Sequence, residues 1–382
     1  MNLLPRSVSC LALDKYRSIM EKGVVKHKSL FALFCIKARQ AFAVFMIDRK
    51  EDILYNEHML WTLLEGDAAV ILSASRRTDI PNYYSDWFLN RIKEGYVYVR
   101  NPMNPRQVSR IALSPEVVDC IVFWTKNPKP LFSGLEELNA YPFYFQFTLT
   151  GYGTDIESNV PDKKEDVIPT FQNLSRKIGA QKVIWRYDPI LFTDKYTPEY
   201  HLKAFAEIAQ RLRGYTEKCV ISFVDFYAKN QKSMNALHVS FLTERELAAF
   251  AQKLAQIAKD NHMKVASCAE KMDLSAYGIE HNCCIDKGLI EQITGCKIDA
   301  GRDKNQREEC GCVESIDVGA YNTCKNGCRY CYANHSPESV AKNCRLYDAN
   351  APILCGQIAQ DDKITERKVK SFKEKQLTVW DL

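Results

Sequence analysis

From residue 69 onward, short apolar runs alternate along the chain with helix-like segments. The runs 69–75, 95–100, 120–126, 143–149, 182–187, 218–224, 263–268 and 315–320 are six or seven residues long and rich in β-branched and aromatic side chains. That length and composition predict buried strands. Between them lie helix signals. Thr243 and Glu246 form a capping box ahead of Leu247, Phe250, Leu254 and Ile257 on one helical face. Thr197 followed by Pro198 reads as an N-cap and first-turn proline. Gly95 ends a helix carrying Trp87, Phe88 and Ile92, and Gly179 ends one carrying Phe171, Leu174 and Ile178. Alternating β and α units predict a parallel sheet. Eight strands in about 250 residues predict an α/β fold of the TIM-like (β/α)8 or near-complete barrel type.

Three parts are expected: an N-terminal extension over 1–68, the barrel over 69–360, and a charged tail over 361–382. The apolar stretch 29–47 is broken by Lys37, Arg39 and Gln40. Its two halves are too short to cross a bilayer, so it reads as a partly helical soluble extension rather than a membrane-surface helix. In the tail, residues 361–375 carry six basic and four acidic side chains, which predicts a solvated helix or flexible segment. A lysine-rich contact to a nucleic-acid backbone is the other reading of that segment. The net charge of +5 on 382 residues is too mild to argue for nucleic acid.

Cysteine changes the picture. Of 15 cysteines, four precede residue 268 (Cys10, Cys35, Cys120 and Cys219), and eleven fall between Cys268 and Cys355. A long chain with a local cysteine cluster reads as cytoplasmic metal binding, not as a secreted disulfide scaffold. Cys324, Cys328 and Cys331 sit in CKNGCRYCYAN, spaced C-x3-C-x2-C. Three close thiolates can hold three irons of a [4Fe–4S] cluster and leave the fourth iron open for chemistry. With His335 the same thiols could instead close a zinc shell.

The cysteine string resembles the cluster loop of the radical S-adenosylmethionine (SAM) superfamily, including the aromatic Tyr330 before the third thiol. The resemblance implies a [4Fe–4S] cluster held by Cys324, Cys328 and Cys331, with SAM chelated on the open iron. It implies reductive cleavage of SAM to methionine and a 5′-deoxyadenosyl radical, fed by an electron donor such as ferredoxin or flavodoxin. In that superfamily the loop follows the first strand of a partial or full barrel; here it follows the last strand run, 315–320. First and last strands are neighbours in a closed barrel, so a circular permutation would leave the loop in the same place. The glycine-glycine-glutamate motif that often follows the second strand there is missing. The chain is also similar to an uncharacterised family, a domain of unknown function, with a radical-SAM-type cysteine cluster at its C-terminus. That likeness runs from about Ile71 through SASRRTDIP, FWTKNP, WRYDP, CGCVESIDVGAYNTC and the cluster loop. The loop alone is also similar to that of the spore photoproduct lyase family, which acts on DNA, over about a dozen residues.

Barrel active sites open at the carboxyl ends of the strands. That rule nominates Arg76, Arg77 and Asp79 after the first run, Trp124, Lys126 and Asn127 around the third, and Gln146 and Thr148 on the fourth. Arg186 and Asp188 around the fifth, Asp225 after the sixth and Glu270 after the seventh complete the ring. The arginines suit a carboxylate or phosphate, and Glu270 or Asp188 could accept the SAM amino group. A second site is expected from Cys268, Cys284, Cys310 and Cys312, holding a second [4Fe–4S] cluster or a zinc ion. Cys283 is the alternative to Cys284. A non-catalytic or redox metalloprotein, with zinc or a fully ligated cluster, is the competing reading of the whole chain.

Overall fold

A computed structural model describes residues 70–225, 231–367 and 372–373. The extension over 1–68, the stretch 29–47 and most of the tail lie outside these described residues.

Eight parallel strands form one sheet. They are β1 (Val70–Ala74), β4 (Val118–Thr125), β5 (Phe143–Thr148), β6 (Val183–Ile190), β7 (Lys218–Phe223), β8 (Lys264–Ser267), β9 (Ile279–His281) and β10 (Ile316–Asp317). Their order is β10-β1-β4-β5-β6-β7-β8-β9. The last strand therefore lies beside the first, with Leu72 opposite Ile316 and Ser73 opposite Asp317. No ladder joins the edge strands β9 and β10 among the described residues, so the sheet is not a hydrogen-bonded closed barrel there.

The strand alternation sorts side chains onto two faces. Leu72, Phe123, Phe145, Trp185 and Ile221 belong to the larger core. That core includes apolar residues of α2 (Ser85–Glu94), α3 (Ile168–Ile178), α4 (Pro198–Leu212) and α6 (Glu244–Asp260). Ile71, Val122, Tyr144, Ile184 and Val220 face a second core, formed with Cys284, Ile285, Cys310, Cys312 and Val313. The long excursion between β9 and β10 thus packs on the second face of the sheet, helped by α7 (Lys287–Thr294). Strands buried on both faces explain the unbroken apolar runs in the sequence.

Two expectations are corrected. The run 95–100 is not a strand of the main sheet. It forms β2 (Tyr96–Asn101), which pairs antiparallel with β3 (Asn104–Ala112) in a separate three-stranded sheet. The third strand there is β11 (Lys363–Glu366), parallel to β3, so this part of the charged tail is a strand and not a helix or loose segment. Arg100 grips the Asp362 carboxylate with two nitrogens at 2.6 and 2.7 Å, and Arg110 pairs with Glu366 at 3.0 Å. The helix caps form as expected. Glu246 N–H donates to Thr243 Oγ1 at 3.3 Å, and Thr243 N–H returns a bond to Glu246 at 2.8 Å.

Candidate functional site

One cavity of about 300 Å³ opens at the carboxyl ends of the main strands. Its wall brings together two sets of cysteines that are separate in sequence: Cys324, Cys328 and Cys331, and Cys268, Cys284, Cys310 and Cys312. Arg76, Arg77, Asp79, Trp124, Lys126, Thr148, Arg186, Asp188 and Asp225 line it too. Asn127 and Gln146 do not, and Glu270 borders an adjoining cavity instead. There Glu270 accepts the Phe223 N–H at 2.8 Å, and burial pushes its carboxyl up to about 7.

The loop carrying the first cysteine set is fixed by two buried carboxylates. Asp79 stands at the start of the short helix α1 (Ile80–Tyr83). It accepts from Asn326 Nδ2 at 2.9 Å, from the Lys126 N–H at 2.8 Å and from the Asn82 N–H at 3.2 Å. One carboxylate thus ties the cysteine loop to α1 and to the end of β4. The second is Glu157, which sequence reasoning missed. It accepts from Lys126 Nζ at 2.7 Å, Thr150 Oγ1 at 3.0 Å, Lys163 and the Tyr330 hydroxyl. Burial raises the Glu157 carboxyl, but Lys126 and Lys163 together pull it down to about 2. Backbone bonds from Arg329 N–H to Ile156 at 2.9 Å and from Asn159 N–H to Asn326 at 3.1 Å seat the loop on this segment. Gly327 has φ +68°, and a Cβ there would collide with Ser158. The tight docking therefore requires glycine.

A third carboxylate joins β10 to β1. Asp317 accepts from Ser73 Oγ at 3.0 Å, the Arg76 N–H at 2.8 Å and the Gly319 N–H at 3.0 Å. It holds the Arg76–Arg77 turn against the strand that leads into the cysteine loop. The Arg76 and Arg186 guanidiniums lie 5.3 and 5.2 Å from the Trp124 ring centre, a cation–π arrangement. Trp124 is steadied by an N–H bond to Ser73 Oγ at 3.1 Å. Arg186 is buried and donates to Cys284 Sγ at 2.8 Å and Gln146 Oε1 at 3.3 Å, with its other nitrogen on Asp188. Arg76 Nη2 is buried and has no hydrogen-bond partner among the described residues.

The thiols differ in their surroundings. Burial pushes Cys324, Cys328 and Cys331 up, Cys328 to about 12. Cys331 Sγ accepts the Ala333 N–H at 3.3 Å. In the second set Cys268 Sγ and Cys284 Sγ are 3.2 Å apart. Hydrogen bonds from Cys268 and Cys312, with Arg186 alongside, hold the Cys284 thiol well below its ordinary value. Cys284 lines the cavity and Cys283 does not. His335 is exposed and outside the cavity lining. No three His, Cys, Asp or Glu donors lie close enough to hold one metal ion as they stand, among the described residues. The donor set nonetheless suits a cluster: three thiols on one loop line a shared cavity, and the buried cation Lys126 lies beside Cys328.

The fold and the site define an α/β protein with a cysteine-walled cavity at the carboxyl edge of a parallel sheet. The chain belongs to the family described as "Domain of unknown function (DUF1848)", whose model matches residues 71–333. The match begins in β1 and ends two residues beyond Cys331, so it takes in every cysteine of the cavity. No curated protein matches the chain. Among solved structures, a protein from Bacteroides thetaiotaomicron described as a "putative alpha-L-fucosidase" is 13% identical. The match covers 60% of this chain and 84% of that one at a TM-score of 0.22, which carries no argument. No helix among the described residues is long and apolar enough to cross a membrane.

Proposed function

We propose that this protein is a radical SAM-type enzyme built on a circularly permuted, incompletely closed (β/α) barrel. Cys324, Cys328 and Cys331 would hold a [4Fe–4S] cluster, with a ferredoxin or flavodoxin as electron donor. The observation that carries the reading is the seat of the C-x3-C-x2-C loop. It follows β10, the neighbour of β1, and its three thiols line the cavity at the strands' carboxyl ends. When bound, such a cluster supplies an open iron for the amino and carboxylate groups of SAM and one electron for its sulfonium.

The chain's own groups supply the rest. Arg76 Nη2, buried and unpartnered among the described residues, is the donor available to a SAM carboxylate. Asp188 is engaged by Arg186 and Ser222, and Glu270 borders the adjoining cavity. Lys126, bound to Glu157, places a cation beside Cys328 and offsets thiolate charge there. The zinc alternative needs His335 as fourth ligand, and the exposed position of that residue outside the cavity disfavours it.

The test is anaerobic reconstitution with iron and sulfide, reduction, and electron paramagnetic resonance with and without SAM. The expected result is a [4Fe–4S]⁺ signal that shifts with SAM, is lost in Cys328→Ala, and accompanies 5′-deoxyadenosine formation. Stoichiometric zinc without iron, or no 5′-deoxyadenosine under several reductants, would replace this reading with that of a non-catalytic metalloprotein.

A further inference from the structure

The second cysteine set is drawn from three separate stretches of chain. Cys268 follows β8, Cys284 begins the excursion from β9, and Cys310 and Cys312 close it before β10. All four reach one wall of the cavity. Cys268 Sγ and Cys284 Sγ stand 3.2 Å apart, the residue after Cys284 bonds Cys312 Sγ through its backbone N–H, and a single glycine separates Cys312 from Cys310. Four thiols meeting from distant sequence positions need a reason beyond packing, because any small apolar side chain would fill the same space.

Their neighbours point to anionic sulfur. Arg186 Nη1 donates to Cys284 Sγ at 2.8 Å, Asn282 Nδ2 donates to the same sulfur at 3.2 Å, and the Ile285 N–H donates to Cys312 Sγ at 3.3 Å. Arg76 interacts electrostatically with Cys312 and Cys284 and leaves one nitrogen unpartnered among the described residues. Donors aimed at sulfur are what surrounds a thiolate metal ligand. The backbone is held as well. Tyr144 Oη and Gln146 Nε2 both donate to the Cys284 carbonyl, at 2.7 and 2.8 Å. Gly311, between the last two cysteines, lets their loop approach: a Cβ there would lie 2.7 Å from Cys283 Sγ.

We propose that Cys268, Cys284, Cys310 and Cys312 bind a second metal centre, a zinc ion or an iron–sulfur cluster, in the wall of the same cavity, charge-balanced by Arg186 and Arg76. Four thiolates around a divalent zinc carry a net charge of about −2, the same as four thiolates around an oxidised [4Fe–4S] cluster, and two guanidiniums offset it. Binding needs all four sulfurs as thiolates, so it releases to solvent the protons of those still protonated. A tetrahedral zinc with Zn–S of ~2.3 Å sets its sulfurs about 3.8 Å apart, so Cys268 and Cys284 separate by roughly half an ångström on loading. The centre would staple the excursion to the sheet and face the first cysteine set across the cavity.

The experiment measures iron, zinc and sulfide in the full chain after reconstitution, alongside thermal melting and circular dichroism. The Cys324→Ala/Cys328→Ala/Cys331→Ala variant leaves the proposed centre intact and should keep about one zinc or about four irons per chain. Cys310→Ser/Cys312→Ser should lose that metal while keeping any SAM-responsive signal from the first set. About eight irons in the wild type indicates a cluster at both sites, and about four with one zinc indicates zinc at the second. A folded triple variant that holds no metal overturns the proposal. So does a Cys310→Ser/Cys312→Ser variant with the metal content of the wild type. The inference stands apart from the radical SAM reading: metal lost in the double variant but kept in the triple supports it even if SAM is never cleaved.

Discussion

Asn326, inside the cysteine loop, donates its amide hydrogen to Asp79 at 2.9 Å, although the two are 247 positions apart in the chain. The same Asp79 carboxylate oxygen also takes the Lys126 N–H, and Tyr83 Oη donates to the other end of the Asn326 side chain at 2.9 Å. The first segment after β1 and the last loop of the family domain are therefore one hydrogen-bonded unit. Asp79 lines the cavity, as its place after the first strand predicts, and also holds the loop, where it acts as a positioning residue.

Asp79→Ala should accordingly cost about 3 kcal/mol, since it strands several donors below the loop. It should also lower metal retention at Cys324, Cys328 and Cys331 more than at the second set. Asp79→Asn, which keeps an acceptor oxygen, should recover part of both. Urea titration and metal analysis of the two variants check this; equal metal retention in wild type and Asp79→Ala would show that the loop is held without the carboxylate.

Glu157 and Lys126 form a buried pair at 2.7 Å, with Lys163 and Tyr330 on the same carboxylate. Removing the acid alone leaves buried ammonium charge unpaired, so Glu157→Gln should destabilise the fold by roughly 3–5 kcal/mol. Glu157→Gln combined with Lys126→Met removes the charge pair and should recover much of that loss. A double-mutant cycle read by chemical denaturation measures the coupling, and strict additivity of the two changes would contradict the pairing.

His201 supplies a pH dependence away from the cysteines. It is fully buried, with Nδ1 meeting the Tyr187 hydroxyl and Nε2 the Leu191 carbonyl, each at 2.9 Å. Desolvation lowers it from 6.5 to about 4, partly opposed by the Leu191 carbonyl. The folded protein therefore keeps a neutral ring that the unfolded chain protonates below about 6.5. Stability from this residue is complete above that pH and declines as pH falls toward 4, by about 3 kcal/mol in all. His201→Gln should be less stable at pH 7.5 and show a smaller loss between pH 7.5 and 4.5 than the wild type. Parallel losses in the two proteins would mean that the ring is charged in the fold.

Truncation after Gln360 removes β11 and the ion pairs that anchor this segment, Arg100–Asp362, Arg106–Asp361 and Arg110–Glu366. It also exposes the edge of β3. The shortened chain should melt several degrees lower and associate at high concentration. An unchanged melting curve would mean that β11 adds nothing to the small sheet.

Why some of this was legible and some was not follows from the range of the interactions. Runs such as 120–126 stand out because both faces of β4 are buried, and the C-x3-C-x2-C spacing is visible because cluster ligation is local. The run 95–100 misled because Tyr96, Val97, Tyr98 and Val99 are as apolar and aromatic as a core strand. Yet most of β2 is only half-buried, as suits a hairpin with one open face. β9 has three residues, too few for a pattern. Glu157 sits in an unremarkable polar stretch, and its importance comes from Lys126, Lys163 and Tyr330 arriving from elsewhere. β11 reads as a charged tail because its pairing is decided by arginines more than 250 positions away.

Arg76 gives the sharpest test of the cavity's chemistry. Its backbone N–H is fixed by Asp317, its guanidinium lies over Trp124, and Nη2 has no partner among the described residues. Buried donors are as a rule hydrogen-bonded, so the one Arg76 leaves open is a position that a ligand acceptor could fill. If that acceptor is the SAM carboxylate, Arg76→Gln should leave the reconstituted cluster's absorption and resonance intact while raising the Kd for SAM tenfold or more. That is the loss expected for one charge-assisted hydrogen bond of about 1.5–3 kcal/mol. Arg76→Lys should recover little, because a point charge on a flexible stem does not reproduce a planar donor held over Trp124. Titration of SAM into each variant, read by the resonance shift, decides the matter. Unchanged SAM affinity in Arg76→Gln, with metal lost instead from the second cysteine set, would assign Arg76 wholly to the thiolates of Cys284 and Cys312.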